Sequence, residues 1–230
     1  MVSGATSLLS DSLFYNEIIS CKMCPRLVNY RESVKENHSK TINYWKKPVP
    51  GFGDINSKLM IIGLAPSAQG GNRTGRVFTG DRSGDFLFRA LYDAGMSNQA
   101  ESKGQDDGLK LKGAYITAVV KCAPPNNLPT YDETIKCSST FLIREIKAIK
   151  PKVIIALGGF AFKWTMFTLK EMGYDVPRAK FSHGAIYRID PNLVIICSFH
   201  PSPQNTNTKR LTEKMFLDIL KTAKALSLTS

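Results

Sequence analysis

Four short runs of almost unbroken apolar sequence, residues 58–63, 114–120, 151–157 and 193–198, constrain the fold more than any other feature of this chain. A strand without a polar face is buried on both sides, which is how the strands of a parallel sheet read. Each run ends in a loop dense in Gly, Pro, Asn, Arg or His. Stretches with helical periodicity lie between them: about 85–95, 132–150, the segment up to 172, and 211–226. This alternation predicts an α/β fold with a mostly parallel sheet and helices on both faces. A further short strand is expected over 184–189. With 230 residues, no internal repeat and no low-complexity linker, the chain reads as one domain spanning 1–230. Two helices are expected in its N-terminal part, about 11–20 and 26–37, with Asp11 capping the first.

In open sheets of this kind, ligands bind beyond the carboxyl ends of the strands. The first loop there, from Gly63 to Asp85, reads GLAPSAQGGNRTGRVFTGDRSGD. Its glycines allow close approach of backbone to a ligand. Arg73, Arg76 and Arg82 are candidate phosphate contacts, and Phe78 is a lone aromatic among polar neighbours. Asp85 is expected to cap the helix that follows. A second loop, KCAPPNNLPT, carries Asn126 and Asn127, whose amides can read a base edge bidentately. A third, FHPSPQNTNTKR, sets His200 against a proline at a strand end. Its Ser202, Asn205, Lys209 and Arg210 can enter a groove or hold phosphates. His38, at a charged helix end, and His183, in a polar loop, have weaker claims.

A net charge of +12 and a pI near 9.5 favour a polyanionic partner, most simply nucleic acid. The plain alternative is a lysine-rich solvated surface such as thermophiles carry. No apolar run approaches the roughly 20 residues that span a bilayer. The N-terminus lacks the basic start and apolar stretch of a secretory signal. An intracellular protein with no membrane partner is expected. Of the five cysteines, Cys197 sits in an apolar run and reads as core. Cys21-x2-Cys24 and Cys122-x14-Cys137 form two pairs. The odd total and the cytosolic setting argue against disulfides. Four thiolates suit either zinc or an iron–sulfur cluster, and the spacing does not separate them.

Taken together, GLAPSAQGGNRTGRVFTGDRSGD, KCAPPNNLPT, HPSPQNTNTKRLT, the run YWKKPVPGFGD from Tyr44 and the cysteine layout resemble the family 5 (type b) uracil-DNA glycosylases. The resemblance covers about residues 20–225. It implies a three-layer αβα sandwich with a central four-stranded, mostly parallel sheet. It implies a [4Fe–4S] cluster on Cys21, Cys24, Cys122 and Cys137, which would tie the N-terminal helices (about 11–37) to the domain, with zinc as the alternative. It also implies excision of uracil, and of other deaminated bases such as hypoxanthine, from double- or single-stranded DNA in base excision repair. In that reading Phe78 stacks on the flipped base, Asn127 (or its neighbour Asn126) contacts its edge, and His200 hydrogen-bonds the carbonyl oxygen beside the scissile nitrogen. Gly63, Leu64 and Ala65 line the base pocket.

Related families often place a carboxylate or amide just after the first glycine of this loop. Leu64 and Ala65 stand there, as is typical of family 5. Asp81 is then the carboxylate expected to orient water. Lys209 departs from a glycine found in many members. The expected protein is a cytoplasmic, nucleoid-associated monomer, with a sliding clamp as a further partner. Two other classes stand beside this reading. One is a non-catalytic damage-binding module on the same fold. The other is a phosphate-handling hydrolase, disfavoured because no Gly-Lys-Ser/Thr follows the glycines.

Overall fold

The computed structural model describes residues 12–36 and 43–228. The four apolar runs become β2 (Leu59–Gly63), β3 (Tyr115–Ala118), β4 (Val153–Leu157) and β6 (Leu193–Ser198). They are parallel and stand side by side in the order β3-β2-β4-β6. Two antiparallel strands close the edges: β1 (Phe52–Gly53) beside β3, and β5 (Ile186–Asp190) beside β6. The sheet therefore has six strands: the four of the expected central sheet, β5 where a short strand was expected over 184–189, and β1, which was not foreseen. An edge strand is covered on fewer sides and carries no continuous apolar run; β5 is largely half-exposed, and β1 is too short for any pattern.

Among the described residues the α-helices are α1 (Ser12–Ile19), α2 (Pro25–Ser33), α3 (Gly71–Thr74), α4 (Arg82–Asp93), α5 (Tyr131–Cys137), α6 (Ile143–Ile149), α7 (Gly159–Glu171), α8 (Pro203–Asn207) and α9 (Glu213–Leu228). The pleat sends successive strand residues to opposite faces. Met60, Ile62, Ile154, Ala156, Ile195 and Cys197 pack against α1, α2, α6 and α7 through Phe14, Leu27, Ile146 and Phe162. Leu59, Ile61, Val153, Ile155, Val194 and Ile196 pack against α4 and α9 through Leu87, Phe88, Phe216 and Leu220. The result is helix, sheet, helix, as the apolar runs imply.

Four details depart from the expected elements. The helix anticipated over 132–150 is α5 and α6 joined by a wide π turn, Ser138–Leu142. It begins with a capping box between Thr130 and Glu133. The second N-terminal helix ends at Ser33, short of residue 37. A short helix, α8, sits inside the third loop. Helix α4 starts at Arg82, so its N-cap is Asp81 and not Asp85: Asp81 is extended (φ −141°) and its Oδ1 accepts from the Gly84 N–H at 3.0 Å. Asp11 and His38 lie outside the described residues.

One feature of the core had no apolar signature. Lys121, at the end of the third-strand region, is buried and donates Nζ to Glu145 Oε2 at 2.6 Å. The Thr117 hydroxyl donates to the same carboxylate at 3.0 Å, and the Tyr115 hydroxyl at 3.2 Å. Burial, with the Glu145 charge beside it, pushes the Tyr115 phenol well above its ordinary range.

Candidate active site

The loops after β2, β3, β4 and β6 converge on one large pocket at the carboxyl edge of the sheet. Leu64 and Ala65 enter it from β2, Asn126 and Asn127 from the loop after β3, Gly158 to Ala161 from the start of α7, and Phe199 and His200 from the end of β6. Two glycines shape its wall. A Cβ on Gly63 would lie 2.6 Å from Phe78 Cζ, so the bare backbone of Gly63 is the seat of that ring. A Cβ on Gly84 would lie 1.8 Å from the Phe78 carbonyl oxygen, so α4 can only approach the loop there with glycine. Phe78 itself takes a left-handed backbone, φ 52°, unusual for a residue with a side chain. The turn aims its half-buried ring at the pocket, with the centroid 5.9 Å from that of His200.

His200 is held through its backbone, whose carbonyl accepts from Asn205 Nδ2 at 2.8 Å. Among the described residues its imidazole has no hydrogen-bond partner, so both ring nitrogens are free for a ligand. Burial lowers its basicity below the ordinary 6.5, and the nearby Asp81 only partly opposes this. The ring is therefore neutral at pH 7, with one N–H to donate. Asp81 lines the same pocket. Its Oδ2 accepts from Ser67 Oγ at 2.5 Å, and Ser67 Oγ accepts in turn from the Gly70 N–H at 3.0 Å. The cap of α4 and the turn of the glycine-rich loop are thus one knot around a single carboxylate. Burial and the Asp81 charge push the neighbouring Asp85 carboxyl up.

Asn126 and Asn127 are exposed, and both take left-handed backbones, φ 54° and 55°. That pair of turns lifts two amides onto the rim side by side. Arg82 and Arg210 are exposed at the mouth, Arg210 lying 4.4 Å over the Phe199 ring. Ser202 and Asn205 line the same side. Lys209 is exposed in a left-handed turn, φ 57°, which explains why glycine suits that position. It does not line the pocket.

Two of the arginines expected on phosphates are committed elsewhere. Arg76 is 4% exposed. It donates to both oxygens of Asp107 at 2.8 and 2.9 Å, to Ser102 Oγ at 3.0 Å and to the Gln105 carbonyl at 2.9 Å. It fastens the glycine-rich loop to the 97–112 excursion and cannot reach DNA. Burial pushes the Asp107 carboxyl up, but the backbone N–H groups of Leu109 and Lys103, then Arg76 and the Gly104 N–H, hold it below its ordinary value. Arg73 donates to the carbonyls of Gln69 and Gly80 at 2.7 Å each, pinning the loop on itself. His183 is also structural. Its Nδ1 accepts from the Phe199 N–H at 3.1 Å, and its ring stacks on Phe199 at 4.8 Å, with burial lowering its basicity.

Other pocket residues were not foreseen: Tyr30, Gln69, Phe160, Lys163 and Phe181. Phe160 is 58% exposed at the start of α7. Its position after Gly158-Gly159 at a strand end was a usable signal. Tyr30, on a charged helix remote in sequence, offered none.

The four paired cysteines line a second, small cavity together with Leu27, Arg31 and Phe141. All five cysteines are free of disulfides. Burial raises the Cys24 and Cys137 thiols, and the Cys122 thiol to about 11. Yet donors are turned onto the sulfurs: Arg31 Nη1 onto Cys122 at 3.0 Å and the Lys121 N–H onto Cys137 at 3.2 Å. Such donors suit thiolates, the form in which cysteine ligates metal. Among the described residues no group of three or more His, Cys, Asp or Glu side chains forms a ready metal site.

A sequence model of the family described as the uracil DNA glycosylase superfamily matches residues 50–224. A type-5 uracil-DNA glycosylase of Pyrobaculum aerophilum is 44% identical, over 92% of this chain and 91% of its own length. One from Thermus thermophilus is 42% identical, over 93% and 97%. A type-4 uracil-DNA glycosylase of Archaeoglobus fulgidus is 30% identical, over 81% and 78%.

Proposed function

The chain belongs to the uracil-DNA glycosylase superfamily, and we propose that it acts as its type-5 relatives are named to act, hydrolysing the bond between uracil and deoxyribose in DNA. The observation that carries this reading is the pair Phe78 and His200, an aromatic ring and a neutral, unpartnered imidazole facing one pocket.

A base in a duplex cannot be reached, so the nucleotide flips out at a cost of a few kcal/mol. Exposed cations, Arg82 and Arg210 at the mouth and Lys209 beyond it, hold the strand. The flipped base stacks on Phe78, and Asn127 or Asn126 reads its edge. Breaking the glycosidic bond leaves positive charge on the sugar and negative charge on the base. The neutral imidazole of His200 donates its N–H to the base carbonyl as that charge grows, an anion-stabilising role. Water adds to the sugar, completing hydrolysis, and the base departs with the proton balance made good from solvent. Asp81 orients that water. Both its oxygens already accept one hydrogen bond, which fixes its direction and makes it an orienter rather than a strong base. Leu64 and Ala65, small and without a carboxylate, leave room for larger deaminated bases such as hypoxanthine.

Cys21, Cys24, Cys122 and Cys137 would hold a [4Fe–4S] cluster. It would supply a fixed charged node tying α1 and α2 to the sheet within one domain, with no part in bond cleavage. The donors on the sulfurs support this.

The test is excision from duplexes carrying uracil, hypoxanthine or a thymine mismatch, read by alkaline cleavage of the abasic product. His200→Ala should slow uracil excision by at least ~10²-fold, the scale of losing one anion-stabilising donor. Binding of the damaged duplex without any excision by the unsubstituted protein would establish a damage-binding module instead. Iron analysis and absorbance near ~400 nm test the cluster, since such centres absorb in roughly that region; a colourless protein carrying zinc would refute it.

A further inference from the structure

Helix α2 touches both sites. Cys24 is its N-cap, and Tyr30 near its end lines the base pocket. Next to Tyr30 sits Arg31, 2% exposed. Its Nη1 donates to Cys122 Sγ at 3.0 Å, and both terminal nitrogens donate to the Cys21 carbonyl at 3.3 Å. Its Nε has no partner among the described residues. The nearest carboxylate, on Glu32, is 3.7 Å away and more than half exposed. A buried guanidinium is costly unless negative charge lies against it. Here the closest acceptor of charge is a cysteine sulfur, with the Glu32 carboxylate farther off and mostly exposed, so a thiolate at the four-cysteine cavity would supply the charge this guanidinium lacks.

The other side of Arg31 faces the glycine-rich loop. Its carbonyl accepts from Asn72 Nδ2 at 3.1 Å. Asn72 is wholly buried in α3, and its Oδ1 has no partner among the described residues. An amide kept in the interior for a single hydrogen bond is a poor stability device, because its unpaired oxygen costs about 1–3 kcal/mol. The backbone of Asn72 is tied into the knot described above: its N–H donates to the Ser67 carbonyl at 3.1 Å, and Ser67 holds Asp81. A second tie runs from Gln69 Nε2 to the carbonyl of Lys35, just past α2, at 3.4 Å.

We propose that Arg31 and Asn72 form a positioning link: negative charge at the four-cysteine cavity fixes Arg31, and Arg31, through Asn72, fixes the loop that carries Phe78 and Asp81. This rests on the reading of that cavity as a metal-thiolate site, whichever metal it holds. The cluster's contribution to the reaction is then geometric, delivered to the base-binding wall along one helix.

The test compares the full, metal-loaded chain with Asn72→Leu, the milder Asn72→Ser, Arg31→Gln and Arg31→Lys. Metal content, absorbance near ~400 nm, thermal midpoint and single-turnover excision are measured for each. Asn72→Leu should keep metal, absorbance and thermal midpoint, yet slow excision on the order of 10-fold, as misplacement of a reacting group by less than about 1 Å does. Asn72→Ser should do the same if the leucine variant folds poorly. Arg31→Gln should lose metal or change the absorbance and slow excision at least as much. Arg31→Lys, with the charge but not the fork, should recover part of both. Wild-type excision by both Asn72 variants would overturn the link, as would full metal content with unslowed excision in Arg31→Gln. A metal-free wild type that excises at full rate would sink the metal-site reading and the link with it. A metal-bearing wild type with indifferent Asn72 variants would sink the link alone.

Discussion

The seat of Phe78 on Gly63 gives the sharpest check on the base-binding wall. In Gly63→Ala the new methyl carbon would stand 2.6 Å from Phe78 Cζ and 2.9 Å from Cε2. Carbon atoms rest at about 3.5–4.0 Å, so the ring must withdraw by about 1 Å. Gly63 lies at the end of β2 and is paired with Ala118, so the strand cannot yield instead. The ring is half-buried and open to the pocket, so it moves into the space meant for the base. Stability should fall by only about 1 kcal/mol, the low end of overpacking costs. Misplacing a stacking surface by this distance should slow excision on the order of 10²-fold. Single-turnover excision on a uracil duplex measures the loss, and denaturant unfolding measures the stability. The companion variant Phe78→Leu removes the clash: Gly63→Ala should then cost almost nothing further, a strongly non-additive cycle. Wild-type excision by Gly63→Ala, or equal losses from Gly63→Ala with and without Phe78→Leu, would refute the argument.

Three further outcomes follow from other contacts. Arg76→Gln should leave the salt dependence of DNA binding unchanged and cost about 3–5 kcal/mol of stability, because it breaks a buried ion pair. Arg82→Gln or Arg210→Gln should instead reduce the slope of log K against log salt by about 0.9 each, as a lost phosphate contact does; a reduced slope for Arg76→Gln would reverse that assignment. His200 and His183 both carry folded basicities below the ordinary 6.5, so the unfolded chain takes up protons first as pH falls. The stability they contribute is complete above 6.5 and is lost as pH drops below it toward their folded values. Imidazole resonances titrating at or above 6.5 would contradict this. Lys209→Gly should raise stability by up to about 1 kcal/mol by relieving a left-handed backbone, seen as a higher denaturation midpoint; a lower midpoint would mean the turn carries no strain.

The sheet was legible because its central strands are buried on both faces and therefore spelled in unbroken apolar letters. The pocket was legible because its loops leave those strands at one edge, and Phe78, Asp81, Asn127 and His200 line it together. What stayed hidden depended on partners distant in sequence. Arg76 looks like a phosphate contact until Asp107, on another loop, is brought against it. Asp85 reads as the cap in sequence, but α4 begins at Arg82, where Asp81 accepts from the Gly84 N–H. Arg31 sits in a helix rich in charge, where nothing local marks it as buried. The edge strand β5 was legible as a short strand, whereas β1, two residues long, is too short to carry a pattern.

The pair Lys121–Glu145, sealed between β3 and α6, also bears on how this chain can change over generations. Replacing either partner alone strands an interior charge, at about 3–5 kcal/mol, a large part of the 5–15 kcal/mol that holds a domain folded. Replacing both with apolar residues of similar size could be neutral or better. The two apolar and ionic solutions are thus neighbours in stability but separated by a valley two substitutions wide. A lineage that holds this pair stays with it, whatever happens to the substrate.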